Sequence, residues 1–362
     1  MKAAVLHQPK TPLVIEEVAI SKPGPREVLV RTAAVGVCHS DLHFVDGIYP
    51  HPVPVVLGHE AAGVVEQVGS EVRTVKPGDH VITCLSAYCG HCEHCLTGHL
   101  SLCIEPDTRR REDEEPRLMR QGAGLTQFVN LSAYAEQMLV HEHALVAIRR
   151  DMPLDRAALL GCAVTTGMGA VTHTAKVRPG ETVAVIGCGG IGLAAINGAV
   201  IAGAGRIIAI DRLPGKLELA RQFGATDVIN ASEVDKVPDA VRALTGGGVH
   251  HAFEAIGLKQ TCEQAFAMLR RGGTATVIGM VPPGVKIELK GSDFLQEKRI
   301  QGSMMGSNRF PVDMPRMVDF YLQGRLKLDE LISRRMPLAH INEAMDELRR
   351  GELARSVIVF DQ

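Results

Sequence analysis

The 362 residues include no tryptophan, and aromatic side chains make up only 4% of them. Few flat faces are available to stack nucleobases, and a formal net charge of −2 with a pI near 6.7 gives no basic field for a phosphate backbone. Nucleic-acid binding is disfavoured on both counts. Although 46% of the residues are hydrophobic, no apolar run approaches the roughly 18 to 20 residues of a membrane span. The opening "MKAAVLHQPKTPLVIEEV" lacks the basic, apolar and small-residue layout of a secretory leader, and His7, Pro9 and Lys10 interrupt its first apolar patch. It reads as a strand of a cytoplasmic protein. A single core does not suffice at this length; a prior of roughly one domain per 150 residues predicts two.

Cysteine is present but unevenly spread. Of the nine, Cys89, Cys92, Cys95 and Cys103 fall in "CGHCEHCLTGHLSLC", separated by two, two and seven residues. Disulfides between cysteines three apart would be strained, and a cytoplasmic chain is kept reduced, so metal is the better reading. Four thiolates in a short Gly-containing loop can close a tetrahedron around Zn²⁺ and leave no open position, which makes the site structural. An iron–sulfur cluster competes, because C-x2-C-x2-C also opens a ferredoxin run. That run needs a fourth Cys four positions on, then Pro; here His99 stands there and the next Cys is Cys103. His91, His94 and His99 read as solvated side chains of the lobe.

A second metal site needs residues from farther apart: Cys38 in "GVCHSDLH", His59 in "VVLGHEAAGVVEQVG" and Cys162 in "LLGCAVTTGMGA". Each lies near glycine in an apolar context that reads as a strand end or turn. Three ligands of this kind leave a fourth tetrahedral position for water or substrate, as in catalytic zinc. The bland alternative is two small buried cysteines and a satisfied core histidine. Spacing alone does not decide between them.

The run Thr182–Ile186 is apolar and β-branched, a candidate strand, and Gly187-x-Gly189-x-x-Gly192 follows at once. An Ala-rich helical segment and a second strand, "RIIAID", complete the βαβ context that a lone G-x-G-x-x-G lacks. The phosphates of a dinucleotide would lie at the helix N-terminus. Asp211, 24 residues after Gly187, would accept hydrogen bonds from the adenosine ribose and repel a 2′-phosphate, so NAD is preferred over NADP; neighbouring Arg212 keeps the second open. The competing reading is a Gly-rich turn with no ligand. Cys188 reads as a small residue in that turn.

Further strands are expected at "TDVIN", "HHAFEAIG", "GTATVIGM" and "RIQGSM", with helices around 216–223, 234–244 and 260–269. Six strands with crossover helices describe an α/β domain, a Rossmann-type doubly wound parallel sheet, over residues 163–302. The Gly- and Pro-richer residues 1–162 carry short alternating runs, "EVLVRTAAVGV" and "HEAAGVVEQVG", that suggest an antiparallel β domain. Residues 303–362, two helices and the strand "ARSVIVF", are expected to return to it. The charged run "TRRREDEEPR", Thr108 to Arg117, reads as an exposed loop.

Together "GHEAAGVVEQVG", the four-cysteine lobe and "GCGGIG" resemble the zinc-dependent alcohol dehydrogenases of the medium-chain dehydrogenase/reductase superfamily, essentially end to end. The resemblance implies a mainly β, GroES-like catalytic domain carrying two zinc ions beside the NAD-binding domain. It implies Cys38, His59 and Cys162 as catalytic zinc ligands, with Glu60 a nearby acid that can approach the metal. Asp41 would orient His59. Ser40 would bind the alcohol oxygen and pass its proton through the nicotinamide ribose to His43. Gly187, Gly189, Gly190, Gly192, Asp211 and Lys216 would hold the cofactor, with Val281 on its nicotinamide side and Arg355 on its pyrophosphate. His39 stands where relatives often carry Arg, which implies weaker or pH-dependent cofactor binding. Tyr49 and Leu85 would line the substrate channel.

The activity so implied is reversible oxidation of a primary alcohol, aliphatic or aromatic, to its aldehyde. The alternative is a relative acting on the hydroxymethyl adduct of formaldehyde with a thiol, and a third is a non-catalytic dinucleotide-binding protein. A polyol dehydrogenase often has Glu at the position of Cys162. The long segment between Cys103 and Cys162 goes with homodimers in the family.

Overall fold

The structure, a computed structural model, describes residues 1–104, 107–111, 113–351 and 354–361. Glu112 of the charged run and Glu352 and Leu353 of the closing segment lie outside them. The chain divides into two compact units, Met1–Cys162 with Arg309–Gly324 and Leu328–Gln362, and Ala163–Asn308 with Arg325–Lys327. The boundary expected at 302/303 therefore falls after Asn308. Local packing explains the difference: the Ser303 and Ser307 hydroxyls each lie 2.8 Å from Thr174 Oγ1, within the second unit. Arg325–Lys327 belongs there too, because Asn197 bonds to Arg325 O (3.2 Å) and Lys327 N (2.9 Å).

The spine of the first unit is the strand Glu27–Gly36, whose near-continuous burial demands the apolar, β-branched sequence it has. It pairs antiparallel with Glu60–Val68, Gln137–His141 and Arg355–Val359. Two of these registers position the functional residues. Gly36 lies opposite Glu60, so Cys38 and His59, just past the paired ends, emerge side by side. Gly36 also lies opposite Val357, and continuing that antiparallel register brings Arg355 to Cys38. Around this sheet Val30, Leu57, Val81, Tyr134 and Met138 form part of one apolar core, each such aliphatic side chain contributing about 1.5–3 kcal/mol. The unit is not purely antiparallel: Thr126–Gln127 with Val55–Val56, and Ile332–Pro337 with Arg355–Val359, pair in parallel.

The second unit is a six-stranded sheet with every neighbouring pair parallel, in the spatial order Asp227–Asn230, Arg206–Asp211, Thr182–Ile186, Val249–Glu254, Leu269–Val277, Arg299–Gly302. In chain order this is 3-2-1-4-5-6, the doubly wound arrangement whose switch point lies between Thr182–Ile186 and Val249–Glu254. Two helix starts depart from the sequence reading because proline sets them: Pro214–Gln222 begins two residues earlier and Val237–Thr245 three later. Leu269, expected to end a helix, instead opens a strand. Among the described residues no helix is long and apolar enough to cross a membrane.

Candidate metal centres and dinucleotide site

The residues of "CHSDLHFV" form a short helix, His39–Val45, with Cys38 as its N-cap. This helix explains the density of chemistry in that segment. Ser40 and His43, three apart, share one helical face, while Asp41 is buried on another. Cys162 differs from expectation. It lies in a π-helical segment, Leu160–Val164, between the helices Leu154–Leu159 and Thr165–Gly169, within continuous helix rather than at a strand end or turn. Gly161 does not break this helical stretch but lets it approach the sheet: a Cβ there would lie 2.9 Å from Thr83 O and 3.2 Å from Ala61 N.

Cys38, His59 and Cys162 are all buried, and their ligating atoms lie within 4.8 Å of one another. His59 Nε2 is 3.2 Å from Cys162 Sγ, and His59 Nδ1 is 3.0 Å from Asp41 Oδ1. A carboxylate only accepts, so Nδ1 carries the hydrogen and the Nε2 lone pair is left for a metal. The local field calls for a cation. The Cys162 contact holds the Cys38 thiol well below its ordinary pKa against the opposing effect of burial, with Arg355 and His59 adding to it. Burial opposes charge on His59, yet Asp41 and Cys38 together hold its pKa well above the usual value. Two sulfurs and one imidazole around a point that favours positive charge fit zinc with a fourth position open.

Glu60, the first residue of its strand, is fully buried, with Oε2 3.5 Å from Arg355 Nη2. Arg355 is itself only 3% exposed; it donates to Val37 O (3.0 Å) and to Cys38 Sγ (3.6 Å). The structure thus turns toward the metal cluster an arginine that the resemblance assigned to the cofactor pyrophosphate. Ser40 Oγ accepts from Cys38 Sγ at 3.6 Å. His43 is half-buried, and burial lowers its pKa against the pull of Cys38 and Asp46, so the ring is neutral and able to take a proton. Tyr49 is half-buried with its ring 5.9 Å from His43; Leu85 packs on the edge of the core, and His39 is exposed.

Sequence reasoning missed two residues here. Tyr134 donates from its hydroxyl to Asp41 Oδ2 at 2.9 Å, and Phe128 sets its ring edge-on to His59 at 5.9 Å. Neither belongs to a motif; Phe128 opens a short 3-10 turn, Phe128–Asn130, and Tyr134 lies in the irregular segment after it.

The second cluster is closed. The sulfurs of Cys92 and Cys95 are 3.5 Å apart, those of Cys89 and Cys95 3.8 Å, and those of Cys92 and Cys103 3.9 Å. These are far beyond a disulfide and close to the edge of about 3.8 Å of a tetrahedron with Zn–S bonds of about 2.3 Å. Backbone N–H groups of His91 and Cys92 point at Cys89 Sγ, and that of Cys89 at Cys103 Sγ. Such donors stabilise thiolates; the backbone of Cys95 is the main cause that draws the Cys92 pKa down to about 6. The lobe is tied to the rest of the first unit by His143, which stacks on Tyr88 at 4.4 Å and bonds to its carbonyl at 2.7 Å.

In the second unit the glycine turn has the form a pyrophosphate needs. Gly187 has φ +93°, and a Cβ on Gly192 would lie 1.7 Å from Gly187 O, whereas space around Gly189 is open. The helix Gly190–Ile201 begins there with no acidic residue in its first turn. Asp211 braces the turn, accepting from Cys188 N (2.8 Å), Arg212 N (2.7 Å) and Leu213 N (3.1 Å), and remains partly exposed. Lys216 is partly buried close enough to Cys188 to act on its thiol, and Val281 is partly exposed.

Comparison with known proteins agrees with this chemistry. Residues 24–150 match the alcohol dehydrogenase GroES-like domain, and residues 190–323 the zinc-binding dehydrogenase domain. An S-(hydroxymethyl)glutathione dehydrogenase of Haemophilus influenzae is 41% identical, covering 99% of this chain and 97% of its own. Among solved structures, an alcohol dehydrogenase zinc-binding domain protein from Burkholderia ambifaria superposes with a TM-score of 0.95 at 38% identity, covering 100% of this chain and 99% of its own. A benzyl alcohol dehydrogenase from Acinetobacter calcoaceticus does so with a TM-score of 0.94 at 32% identity, covering 99% of each chain.

Proposed function

The chain belongs to the zinc-dependent alcohol dehydrogenases of the medium-chain dehydrogenase/reductase superfamily, and from that premise we propose that its substrate is the hydroxymethyl adduct of formaldehyde with a small thiol such as glutathione. The chemistry is oxidation of a CH–OH group with transfer of hydride to a nicotinamide dinucleotide. The observation that carries the substrate is the full-length identity with an S-(hydroxymethyl)glutathione dehydrogenase. Sequence alone put a primary alcohol first and the thiol adduct second; the relative reverses that order. The likeness to a benzyl alcohol dehydrogenase keeps simple primary alcohols as the second reading.

Zinc, when bound, lowers the pKa of the coordinated hydroxyl and so makes hydride loss feasible near neutral pH. Cys38, His59 and Cys162 would hold it, with Asp41 fixing the imidazole. Ser40 would hold the proton of the substrate hydroxyl, and His43, neutral by burial, would carry it toward solvent. Gly187, Gly189, Gly190 and Gly192 would take the pyrophosphate of the dinucleotide. Lys216 would sit beside it and Val281 at its nicotinamide end. The Asp211 carboxylate favours NAD over NADP, because a 2′-phosphate would meet its charge. Tyr49 and Leu85 would bound the substrate channel, and Glu60 would stay close to the metal, held by Arg355. A cytoplasmic homodimer formed through the cofactor domains completes the reading.

The test is an initial-rate assay on zinc-replete protein, following NADH with formaldehyde with and without glutathione, beside hexanol and benzyl alcohol. Turnover of formaldehyde only when the thiol is present supports the proposal. Faster turnover of the simple alcohols, with no thiol effect, would replace it with the second reading.

A further inference from the structure

We propose that Tyr134 is a positioning residue for the catalytic metal centre, its hydroxyl fixing the Asp41 carboxylate that in turn orients His59. The inference rests on the assignment of Cys38, His59 and Cys162 as zinc ligands and goes beyond the Asp41–His59 pair itself.

Asp41 is wholly buried, and a buried carboxylate is tolerable only when donors satisfy its oxygens. Oδ1 accepts from His59 Nδ1 (3.0 Å) and from Gly58 N (3.1 Å), both on the segment that bears the ligand. Oδ2 accepts from the Tyr134 hydroxyl at 2.9 Å, from a different part of the chain. The tyrosine is therefore the donor that holds the second carboxylate oxygen, the one not bound to the histidine segment. Without that donor, Oδ2 is a buried acceptor lacking its bond, and rotation of the carboxylate would relieve it at the expense of the bond to Nδ1.

The fold goes to some length to place this side chain. Val129, Asn130 and Ser132, three non-glycine residues just before Tyr134, have φ of 43°, 64° and 59°; for the β-branched Val129 this conformation costs about 1–3 kcal/mol. Ser132 holds the turn, its hydroxyl accepting from Phe128 N (2.8 Å) and donating to Val56 O (2.7 Å). Ala133 N and Tyr134 N then bond to Gly58 O and Leu57 O, each at 2.9 Å. The approach is close enough that a Cβ on Gly58, at φ +91°, would lie 2.6 Å from Tyr134 N and 2.9 Å from its ring. The strained turn thus sets Tyr134 against the residue preceding the histidine ligand. A phenylalanine would fill the same space, so the hydroxyl is the part with a function beyond packing.

Tyr134→Phe isolates that hydroxyl. Zinc release to an excess of chelator should show two phases, and the variant should release the catalytic zinc about 10-fold faster, toward the low end of effects seen for partners of metal-ligating histidines, with the four-cysteine zinc unchanged. Replacing the catalytic zinc by cobalt(II) should give a shifted visible spectrum in the variant. Asp41→Asn should also speed release, and Tyr134→Phe should add nothing in that background. Release at the wild-type rate, equal acceleration at both sites, or full additivity with Asp41→Asn would each overturn the proposal. A single zinc in the wild-type protein would overturn it together with the ligand assignment, whereas a failed thiol dependence would touch only the substrate reading.

Discussion

The two cysteine clusters solve the same problem, holding a dication with thiolates, in opposite ways. Cys89, Cys92, Cys95 and Cys103 come from one short segment and are supported by backbone N–H groups of that segment. Cys38, His59 and Cys162 come from three separate parts of the first unit and are supported by side chains: Asp41 from the helix that Cys38 caps, and Tyr134 and Arg355 from still other parts. A local cluster depends little on the rest of the fold, so its zinc acts as a staple. A dispersed cluster can leave a coordination position open, but its geometry is only as good as the packing around it.

The largest effect should come from breaking the dispersed cluster. Cys162→Ala is expected to lower the oxidation rate by more than about 10³-fold and to leave one zinc per chain, that of the lobe, as measured by elemental analysis beside the NADH assay. Retention of two zincs would sink the ligand assignment. Cys92→Ser should do the converse: the lobe zinc is lost, the catalytic zinc stays, and thermal unfolding shows a destabilisation of several kcal/mol, since binding at a structural site is folding free energy. Asp41→Asn should weaken the catalytic zinc by about 10 to 100-fold without affecting the lobe, which chelator competition would resolve.

The smallest effect is a pH dependence at His141, whose ring lies 5.1 Å from that of His143. Burial first, then Arg26 and His143, push the His141 pKa down to about 4 from an ordinary 6.5. The unfolded chain therefore takes up a proton on this ring before the folded one does. Stability from this group is complete above about 6.5, declines as pH falls, and levels off below about 4. The loss is on the order of 2 kcal/mol after discounting for partial solvation. Urea unfolding at pH 7 and pH 4.5 should show it, and His141→Gln should flatten that slope; an unchanged slope would mean other groups set it.

Legibility in the sequence followed the same division. The four-cysteine lobe could be read from spacing because all its ligands are contiguous, and the parallel sheet from its alternation of apolar runs and helical segments. Glycine usually punctuates structure, so the sequence around Cys162 reads as a strand end or turn. Gly161 and Gly167 instead sit within helical stretches, where a Cβ would press on Thr83 O and Ile191 O, so they mark close packing rather than a break. Tyr134 carried no signal, since its bond to Asp41 spans 93 residues of sequence and depends on a turn no propensity favours. Arg355 was assigned by resemblance to a phosphate, and only the antiparallel register with Gly36 shows that its guanidinium reaches Cys38.

That register has a consequence during synthesis. Arg355 and Cys38 are 317 residues apart, and at about 5 to 20 residues per second a ribosome delivers the arginine roughly 15 to 65 s after the cysteine. Through that interval the nascent chain holds Cys38 without the cation that favours its thiolate, and for most of it the lobe at residues 89–103 already has all its ligands. The two centres are therefore completed at different points of translation: the staple's four thiols are made together and early, whereas the reactive centre gains its arginine only with the closing strand.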